Sequence, residues 1–307
     1  MKILVAFPDV AYYNWQVLVQ INNLVKFGYA DQMIYVVGQP INRDLSKQIC
    51  VFKEELPAEF YVYLDDRQGA FYPSSQRPYI LEKFFREHPE MNKETFLYID
   101  PDLLFSKNIS FSQLEKNDTW YLSDTKSYID SKYIKSKSEE LFWIMCDIVK
   151  INKEIVEKND DSAGGAQYLM KDIDADFWKK VYEDSEELYG LMKRTEGYYS
   201  PQHPIQSWTA DMWAVLWNAW YFGHETKIAN RMSFSWASDP IEKYDQHNFF
   251  HNAGVVGQND NMFCKTKYQE SPFNTDFSEI SDRFCSIKYM EEIEETKNNY
   301  PELIKLF

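Results

Sequence analysis

Short apolar runs alternate with helical patterns over the first hundred residues. Residues 2–7 form a continuous apolar run, and residues 11–27 then place large apolar side chains at the spacing of an amphipathic helix. Further apolar runs at residues 33–37, 59–64 and 95–99 indicate buried strands. Because strands that alternate with helices build βαβ units, the pattern predicts an α/β fold with a largely parallel sheet.

The rest of the chain is less regular. The polar Lys/Ser/Tyr stretch at residues 126–137 predicts a loop, and Gly164-Gly165 opens a short apolar run that ends at Met170. The simplest organisation is one domain over residues 1–255 with a C-terminal extension, residues 256–307, that packs on it. The periodicity predicts helices at residues 76–87, 138–153, 174–193, 206–221 and 290–306, and strands at residues 120–123, 231–236 and 248–250.

Charge and composition exclude several classes of protein. With 33 Lys+Arg against 48 Asp+Glu the formal net charge is −15, which works against nucleic-acid binding through clustered basic side chains. No apolar run approaches the roughly 20 residues of a transmembrane helix, and the apolar part of residues 1–9 is too short for a signal peptide. The four cysteines are widely spaced, so we expect free thiols and a cytoplasmic protein.

Two aspartates follow directly on the apolar strand that ends at Ile99. Asp100 and Asp102 are separated by Pro101, whose fixed φ stiffens the turn between them. Carboxylate oxygens suit Mg²⁺ or Mn²⁺, and such a cation could bridge the phosphates of a nucleotide. A simple acidic turn is the alternative. Apolar residues flank the acids on both sides, however, and a buried carboxylate without a partner is costly, which favours the metal site.

Asp100-Pro101-Asp102 after an apolar strand resembles the Asp-x-Asp motif of GT-A glycosyltransferases, which use nucleotide-sugar donors. The order of features is similar as well: an N-terminal strand and loop, the Asp-x-Asp near residue 100, a glycine-led strand and a late histidine. More narrowly, residues 74–78 followed by residues 98–102 are similar to plant and algal enzymes that glycosylate serine or hydroxyproline. The resemblance covers residues 1–255. It implies a GT-A-like (Rossmann-like) α/β fold, with a mixed, mostly parallel sheet flanked by helices and irregular C-terminal additions.

The resemblance also implies which residues hold the donor. In that fold the loop after the first strand cradles the nucleotide base and ribose, and a glycine-containing segment lines the pocket for the donor sugar and acceptor. An arginine at a helix start could reach diphosphate oxygens. A strand end, a surface arginine and an ordinary turn would explain the same residues without a ligand. The implied donor-binding residues are Phe7, Pro8, Asp9, Arg77, Asp100, Gly164, Gly165 and Gln167.

Two further residues complete the implied site. Asp211 is the one acid at the start of an aromatic helix, and GT-A enzymes carry an acid that faces the acceptor in comparable positions. It would be the catalytic base of an inverting enzyme, although the helix dipole alone favours an aspartate there. His251 precedes the turn Asn252-Ala253-Gly254 and is the implied third metal ligand beside Asp100 and Asp102, with His247 in reserve. A structural turn histidine is the alternative.

These features together predict a metal-dependent glycosyltransferase, either a hexosyl- or a pentosyltransferase. It would use Mn²⁺ or Mg²⁺ to move a sugar from a UDP- or GDP-sugar to a hydroxyl group of a glycan, a protein or a small molecule. Two other classes remain open. A non-catalytic carbohydrate-binding protein would explain the 17% aromatic content. Another metal-dependent nucleotide or phosphoryl-transfer enzyme could use the same aspartate pair, but the chain lacks a Gly-x-x-x-x-Gly-Lys loop.

Overall fold

The computed structural model describes residues 1–254 and 261–307, so the expected boundary between residues 255 and 256 lies outside the described residues. The chain divides into two compact units. The first unit consists of Met1–Lys2, Tyr63–Tyr98 and Ser112–Met232, and the second unit of Ile3–Val62, Ile99–Phe111 and Ser233–Phe307. Among the described residues, no helix combines the length and the apolar character needed to cross a bilayer.

The described residues contain two β-sheets. The larger has seven strands in the order β3-β2-β1-β4-β7-β6-β8, and the smaller has three in the order β5-β10-β9. The strands are β1 (Lys2–Pro8), β2 (Met33–Pro40), β3 (Glu59–Asp65), β4 (Phe96–Tyr98), β5 (Leu103–Phe105), β6 (Trp120–Ser123), β7 (Gly165–Met170), β8 (Thr226–Ile228), β9 (Phe234–Trp236) and β10 (Phe249–His251).

The larger sheet is mixed and mostly parallel, as expected. β1 pairs in parallel with β2, with Ile3 opposite Met33, and β6 pairs in parallel with β8. β7 is antiparallel to both of its neighbours, β4 and β6. Residues 3–7 of β1 and all of β4 are buried, which explains why the sequence shows these strands as continuous apolar runs rather than as alternating patterns. The predicted α/β fold class is therefore confirmed.

Helices flank these sheets. α1 begins three residues after the end of β1, and residues 14–24 of this helix are all buried. The helices within the described residues are α1 (Ala11–Lys26), α2 (Lys47–Glu55), α3 (Gln76–Glu87), α4 (Lys126–Ile129), α5 (Ser131–Lys135), α6 (Glu139–Val149), α7 (Lys153–Lys158), α8 (Ala175–Thr195), α9 (Ala210–Tyr221), α10 (Glu242–Gln246), α11 (Ser286–Asn299) and α12 (Pro301–Ile304).

The loop predicted for residues 126–137 is wrong, because this segment forms α4 and α5. Asp130 caps α5: its side chain accepts a hydrogen bond from the backbone N–H of Tyr133 at 2.7 Å. Ile129 and Ile134 are fully buried. Two apolar anchors and one cap stabilise short helices whose composition is otherwise polar.

The helix predicted for residues 138–153 ends early, at Val149. Lys150 takes the left-handed conformation, with φ at 58°, and this stops α6. The side chain of Asn152 then caps α7 by accepting a hydrogen bond from the backbone N–H of Glu154. The predicted helix therefore stops four residues early, and a separate helix, α7, begins at Lys153.

The start of β7 packs very tightly in the first unit. A Cβ atom added to Gly164 would lie 2.5 Å from the backbone oxygen of Ser123 and 2.9 Å from Cβ of Leu122. A Cβ added to Gly165 would lie 2.6 Å from the hydroxyl of Tyr168. Both glycines thus have a packing role at the point where β7 meets β6.

We expect Gly164→Ala to lower the free energy of unfolding by about 1–3 kcal/mol, because backbone atoms of β6 cannot move aside for the new methyl group. The matched control is Gly197→Ala, where an added Cβ meets no atom within 4 Å. Urea unfolding should show the control unchanged or slightly stabilised. Equal stability of the two variants would contradict the packing role of Gly164.

Candidate metal and donor site

Three side chains of the second unit converge at one end of the small sheet. Asp100 and Asp102 occupy the turn that leads into β5, and His251 is the last residue of β10, directly opposite Leu103 of β5. Nε2 of His251 lies 3.4 Å from Oδ1 of Asp102 and 3.7 Å from Oδ2 of Asp100. One ligand atom from each residue lies within 4.8 Å of the others. The structure therefore brings together the three residues predicted as metal ligands, whereas His247 is not part of this cluster.

The chemistry of this cluster fits a divalent cation. Two carboxylates and one imidazole offer oxygen and nitrogen ligands, a set that Mn²⁺ accepts and that Mg²⁺ accepts less readily because of the nitrogen. Asn252 follows His251, and its backbone N–H donates to the carbonyl oxygen of Asp102 at 3.1 Å. The side chain of Asn252 is buried, yet neither its oxygen nor its nitrogen has a hydrogen-bond partner. Such a costly arrangement is expected where a bound group supplies the missing partners.

Lys265 adds a fixed positive charge to the cluster. Its ammonium group forms an ion pair with Oδ2 of Asp102, and both side chains are largely buried. Burial alone would raise the pKa of Asp102, but the charge of Lys265 and the contact with His251 hold that pKa well below its ordinary value. For Lys265 the two effects have the opposite signs. Burial alone would lower its pKa, but the Asp102 carboxylate raises the pKa above its ordinary value. Both groups are therefore charged at neutral pH.

The imidazole of His251 is oriented by an aromatic neighbour. Trp236 of β9 lies opposite His251 in the parallel pairing of β10 with β9. The two rings stack with centroids 5.6 Å apart and an interplanar angle of 22°. This stacking limits the rotation of the imidazole, so its nitrogen faces the aspartates before a ligand binds.

Asp9 ties the end of β1 to the loop that follows β2. Its carboxylate is fully buried. Oδ1 accepts hydrogen bonds from the side chains of Asn14 (3.0 Å) and Ser46 (2.5 Å). Oδ2 accepts from the backbone N–H of Ser46 (2.8 Å) and from Arg43 (3.1 Å). Asp9 thus shapes this loop through contacts within the chain.

The two residues before Asp9 differ in exposure. Phe7 is fully buried and packs edge-on against Tyr35, with ring centroids 6.2 Å apart. Pro8 is partly exposed. Contact between a donor and Phe7 would therefore involve the backbone rather than the ring.

Arg77 and Asp211, predicted for separate roles, form one ion pair in the first unit. The hydroxyl of Tyr72 lies 2.7 Å from Oδ1 of Asp211 and the same distance from the carbonyl oxygen of Trp208. Burial, followed by the Asp211 charge, raises the pKa of Tyr72 well above its ordinary value, so the hydroxyl keeps its proton. Trp208 is 57% exposed beside this cluster, whereas Trp213 is fully buried in the core.

Gln167 is fully buried, and its side-chain oxygen accepts a hydrogen bond from the hydroxyl of Ser123 at 2.6 Å. The preceding residue, Ala166, has a φ of 65°, in the left-handed region that glycine prefers. The pairing of β6 with β7 is irregular at this point, between Leu122 and Ser123. Gln167 therefore helps to hold an irregular strand start together.

The predicted site residues divide between the two units. Phe7, Pro8, Asp9, Asp100, Asp102 and His251 belong to the second unit, and Arg77, Gly164, Gly165, Gln167 and Asp211 belong to the first. Sequence reasoning missed Lys265, because this lysine lies 163 residues from Asp102 in a segment without a recognisable motif. No signal in the sequence links the two positions.

Comparison with known proteins identifies the fold. No family model matches the chain, and no curated protein is significantly similar in sequence. The chain superposes over its full length on the apo structure of WbbM, a bifunctional glycosyltransferase, with a TM-score of 0.53 and 10% identity. The chain spans about half of that structure, 51% of its length. It has a glycosyltransferase fold of the GT-A type.

Two other solved glycosyltransferases are less similar in structure. The galactosyltransferase LgtC, in complex with donor and acceptor sugar analogues, gives a TM-score of 0.46 at 11% identity, with 96% of each chain covered. A glycosyltransferase involved in glycosylation of the major capsid of PBCV-1 gives a TM-score of 0.40 at 11% identity. That match covers 88% of this chain and 98% of the other.

We expect Lys265→Met to lower the free energy of unfolding by about 3–5 kcal/mol in EDTA, because the buried Asp102 carboxylate loses its countercharge. Added Mn²⁺ should recover much of this loss, since the cation replaces that charge. Urea unfolding of the variant with and without Mn²⁺ measures both effects. Lys267→Met, at an exposed position two residues away, should behave as wild type in both conditions. A loss that Mn²⁺ does not reduce would contradict the electrostatic role of Lys265.

Proposed function

We propose that this protein is a metal-dependent glycosyltransferase that moves a sugar from a nucleotide-diphosphate sugar to a hydroxyl acceptor. One observation carries the proposal: Asp100, Asp102 and His251 converge within 4.8 Å in a chain with a glycosyltransferase fold. Fold alone would leave the chemistry open, because one fold serves many functions. The ligand cluster adds a site whose chemistry suits the reaction.

In this proposal Asp100, Asp102 and His251 hold Mn²⁺ or, less favourably, Mg²⁺. A bound cation would supply Lewis-acid stabilisation of the leaving nucleoside diphosphate. Lys265 forms an ion pair with Asp102, and with a cation bound to that carboxylate its ammonium group would be available to a phosphate oxygen. The buried amide of Asn252 would offer its NH₂ group to a phosphate oxygen or water, and its carbonyl oxygen to water, at the same place.

We also propose contacts with the nucleotide-sugar donor for residues of each unit. In the second unit, Phe7 and Pro8 would line the nucleotide through their backbone, and Asp9 would hold the adjoining loop in shape. In the first unit, Arg77 offers guanidinium N–H groups to phosphate oxygens. The backbone at Gly164 and Gly165, with Gln167, would line the sugar pocket.

Asp211 is our proposed base for an inverting reaction. Its two carboxylate oxygens accept hydrogen bonds from Tyr72 and Arg77, which hold the carboxylate in one orientation. Each carboxylate oxygen has a second lone pair, to which an acceptor hydroxyl could give its proton. A retaining enzyme needs no such base, and Asp211 would then serve only to hold Arg77.

We expect wild-type protein with Mn²⁺ to release sugar slowly from a nucleotide sugar, and EDTA to stop this release. Thermal shift against a panel of UDP- and GDP-sugars, with and without Mn²⁺, selects the donor for the assay. Asp102→Asn should abolish release, since the cation loses a charged ligand. Asp100→Asn should have the same effect, and its side chain is more exposed (27%), so this variant is less prone to unfold.

The exposed Asp118→Asn is the matched control and should keep full activity. Sugar release that is insensitive to EDTA and to both aspartate variants would disprove the metal assignment. Release of phosphate instead of sugar would favour the alternative class of phosphoryl-transfer enzymes. Binding of sugars without any turnover would favour a carbohydrate-binding protein.

We expect Arg77→Ala to weaken UDP or GDP binding by ~1.5–3 kcal/mol, the contribution of a hydrogen bond to a charged group. Isothermal titration calorimetry measures the change directly. Arg86→Ala removes an exposed arginine from the other end of α3 and should leave the affinity unchanged. If both variants bind the nucleotide like wild type, Arg77 is only the structural partner of Asp211.

A further inference from the structure

The outer edge of β5 is closed by side chains of α1 rather than by another strand. β5 stands at the edge of the small sheet, next to β10. Oδ1 of Asn23 accepts a hydrogen bond from the backbone N–H of Phe105 at 2.7 Å, and Nδ2 of Asn23 donates to the carbonyl of Phe105 at 3.2 Å. These are the two bonds that a paired residue on a neighbouring antiparallel strand would make. A side-chain amide thus substitutes for a strand.

Gln20 makes the equivalent contacts at the metal-ligand turn. Its Nε2 donates to the carbonyl oxygen of Asp100 at 2.7 Å and to that of Leu103 at 3.0 Å. The backbone N–H of Leu103 also donates to the carbonyl of Asp100, at 3.2 Å, which closes the turn. One NH₂ group therefore holds both ends of the segment that carries Asp100 and Asp102.

The amide of Gln20 is itself fixed in orientation. Its Oε1 accepts a hydrogen bond from the hydroxyl of Tyr35 at 3.1 Å. Both side chains are fully buried, and burial raises the pKa of Tyr35 well above its ordinary value, so the hydroxyl stays a donor. With all three polar positions of the amide used, rotation of Gln20 would leave several buried groups without partners.

The held segment is the one that faces the histidine ligand. Leu103 lies directly opposite His251 in the pairing of β5 with β10. Fixing the carbonyl oxygens of Asp100 and Leu103 therefore fixes the backbone on both sides of Asp102 relative to the strand that carries His251. Gln20 acts on the backbone of the turn, through the carbonyl oxygens of Asp100 and Leu103.

We propose that Gln20 is a positioning residue of the metal centre, which holds residues 100–103 in the ligand-binding arrangement before a cation arrives. The inference deepens the proposed metal-dependent function and rests on it. Residues that orient metal ligands from behind commonly contribute 10- to 100-fold to metal affinity. The backbone contacts of Gln20 place it in that role.

The test compares Gln20→Met with Gln16→Met. Gln16 is also fully buried in α1, one turn earlier, and its amide donates to the carbonyl of Tyr12 within the helix. Free Mn²⁺ measured by electron paramagnetic resonance gives the affinity, and hydrogen exchange of the metal-free protein reports on the turn. Gln20→Met should weaken Mn²⁺ binding about 10- to 100-fold and speed exchange of the Leu103 amide. Gln16→Met should change neither.

If Gln20→Met does not fold, Tyr35→Phe provides a milder test, because it removes only the donor that orients the Gln20 amide. It should weaken Mn²⁺ binding in the same direction by a smaller factor. Equal effects of Gln20→Met and Gln16→Met would show that Gln20 only packs in the core, and would overturn the inference. An unchanged Mn²⁺ affinity and Leu103 exchange rate in Gln20→Met would overturn it as well.

Failure of the proposed function gives a different result. In that case wild-type protein would show no Mn²⁺ binding that Asp102→Asn removes. The inference alone fails when wild type binds Mn²⁺ through Asp102 and Gln20→Met binds it equally well. Hydrogen exchange of the Leu103 amide also distinguishes these two failures, because it is measured without metal and reports only on whether Gln20 holds the turn.

Discussion

The burial of the Asp102 carboxylate is the constraint on which the candidate metal site depends. Moving a carboxylate out of water costs several kcal/mol unless an opposite charge and hydrogen bonds offset it. Lys265 supplies the charge, and His251 lies beside the same group. In the proposed function, a bound divalent cation would supply the countercharge of Asp102 in place of Lys265, and the lysine would then be available to another anion. The same pairing thus explains the stability of the metal-free site and its proposed chemistry.

The sequence was sufficient where local pattern and burial agree. The apolar runs predicted the core strands, and the acids after Ile99 predicted two ligands, because a strand that ends in paired carboxylates carries its own signal. His251 followed from the family resemblance and its position beside a turn. Gln20 and Lys265 carry no such signal, since their partners lie 80 and 163 residues away and meet them only through packing. The wrong loop at residues 126–137 has a similar origin, in buried anchors that a polar composition conceals.

In the first unit, the sequence assigned Arg77 to the donor and Asp211 to the acceptor, and the structure shows them as partners. Each of the two partly buried side chains supplies the countercharge of the other. A ligand with its own negative charge could compete for Arg77, and a hydroxyl could compete for Asp211. Each proposed role therefore depends on how readily this pair opens. For Gly164, in contrast, tight packing against β6 is sufficient to explain why the position holds a glycine, without any role in ligand binding.

The side-chain amides that border β5 also constrain how the chain can change length. Gln20 and Asn23 lie three residues apart on α1, so both face the same strand. Insertion or deletion of one residue between them would rotate one amide by about 100° around the helix axis and withdraw it from its carbonyl partner. The hydrogen bonds of these two amides therefore fix the position of α1 along β5. A related chain that keeps the turn at residues 100–103 should accordingly tolerate substitutions in α1 and length changes only at its ends.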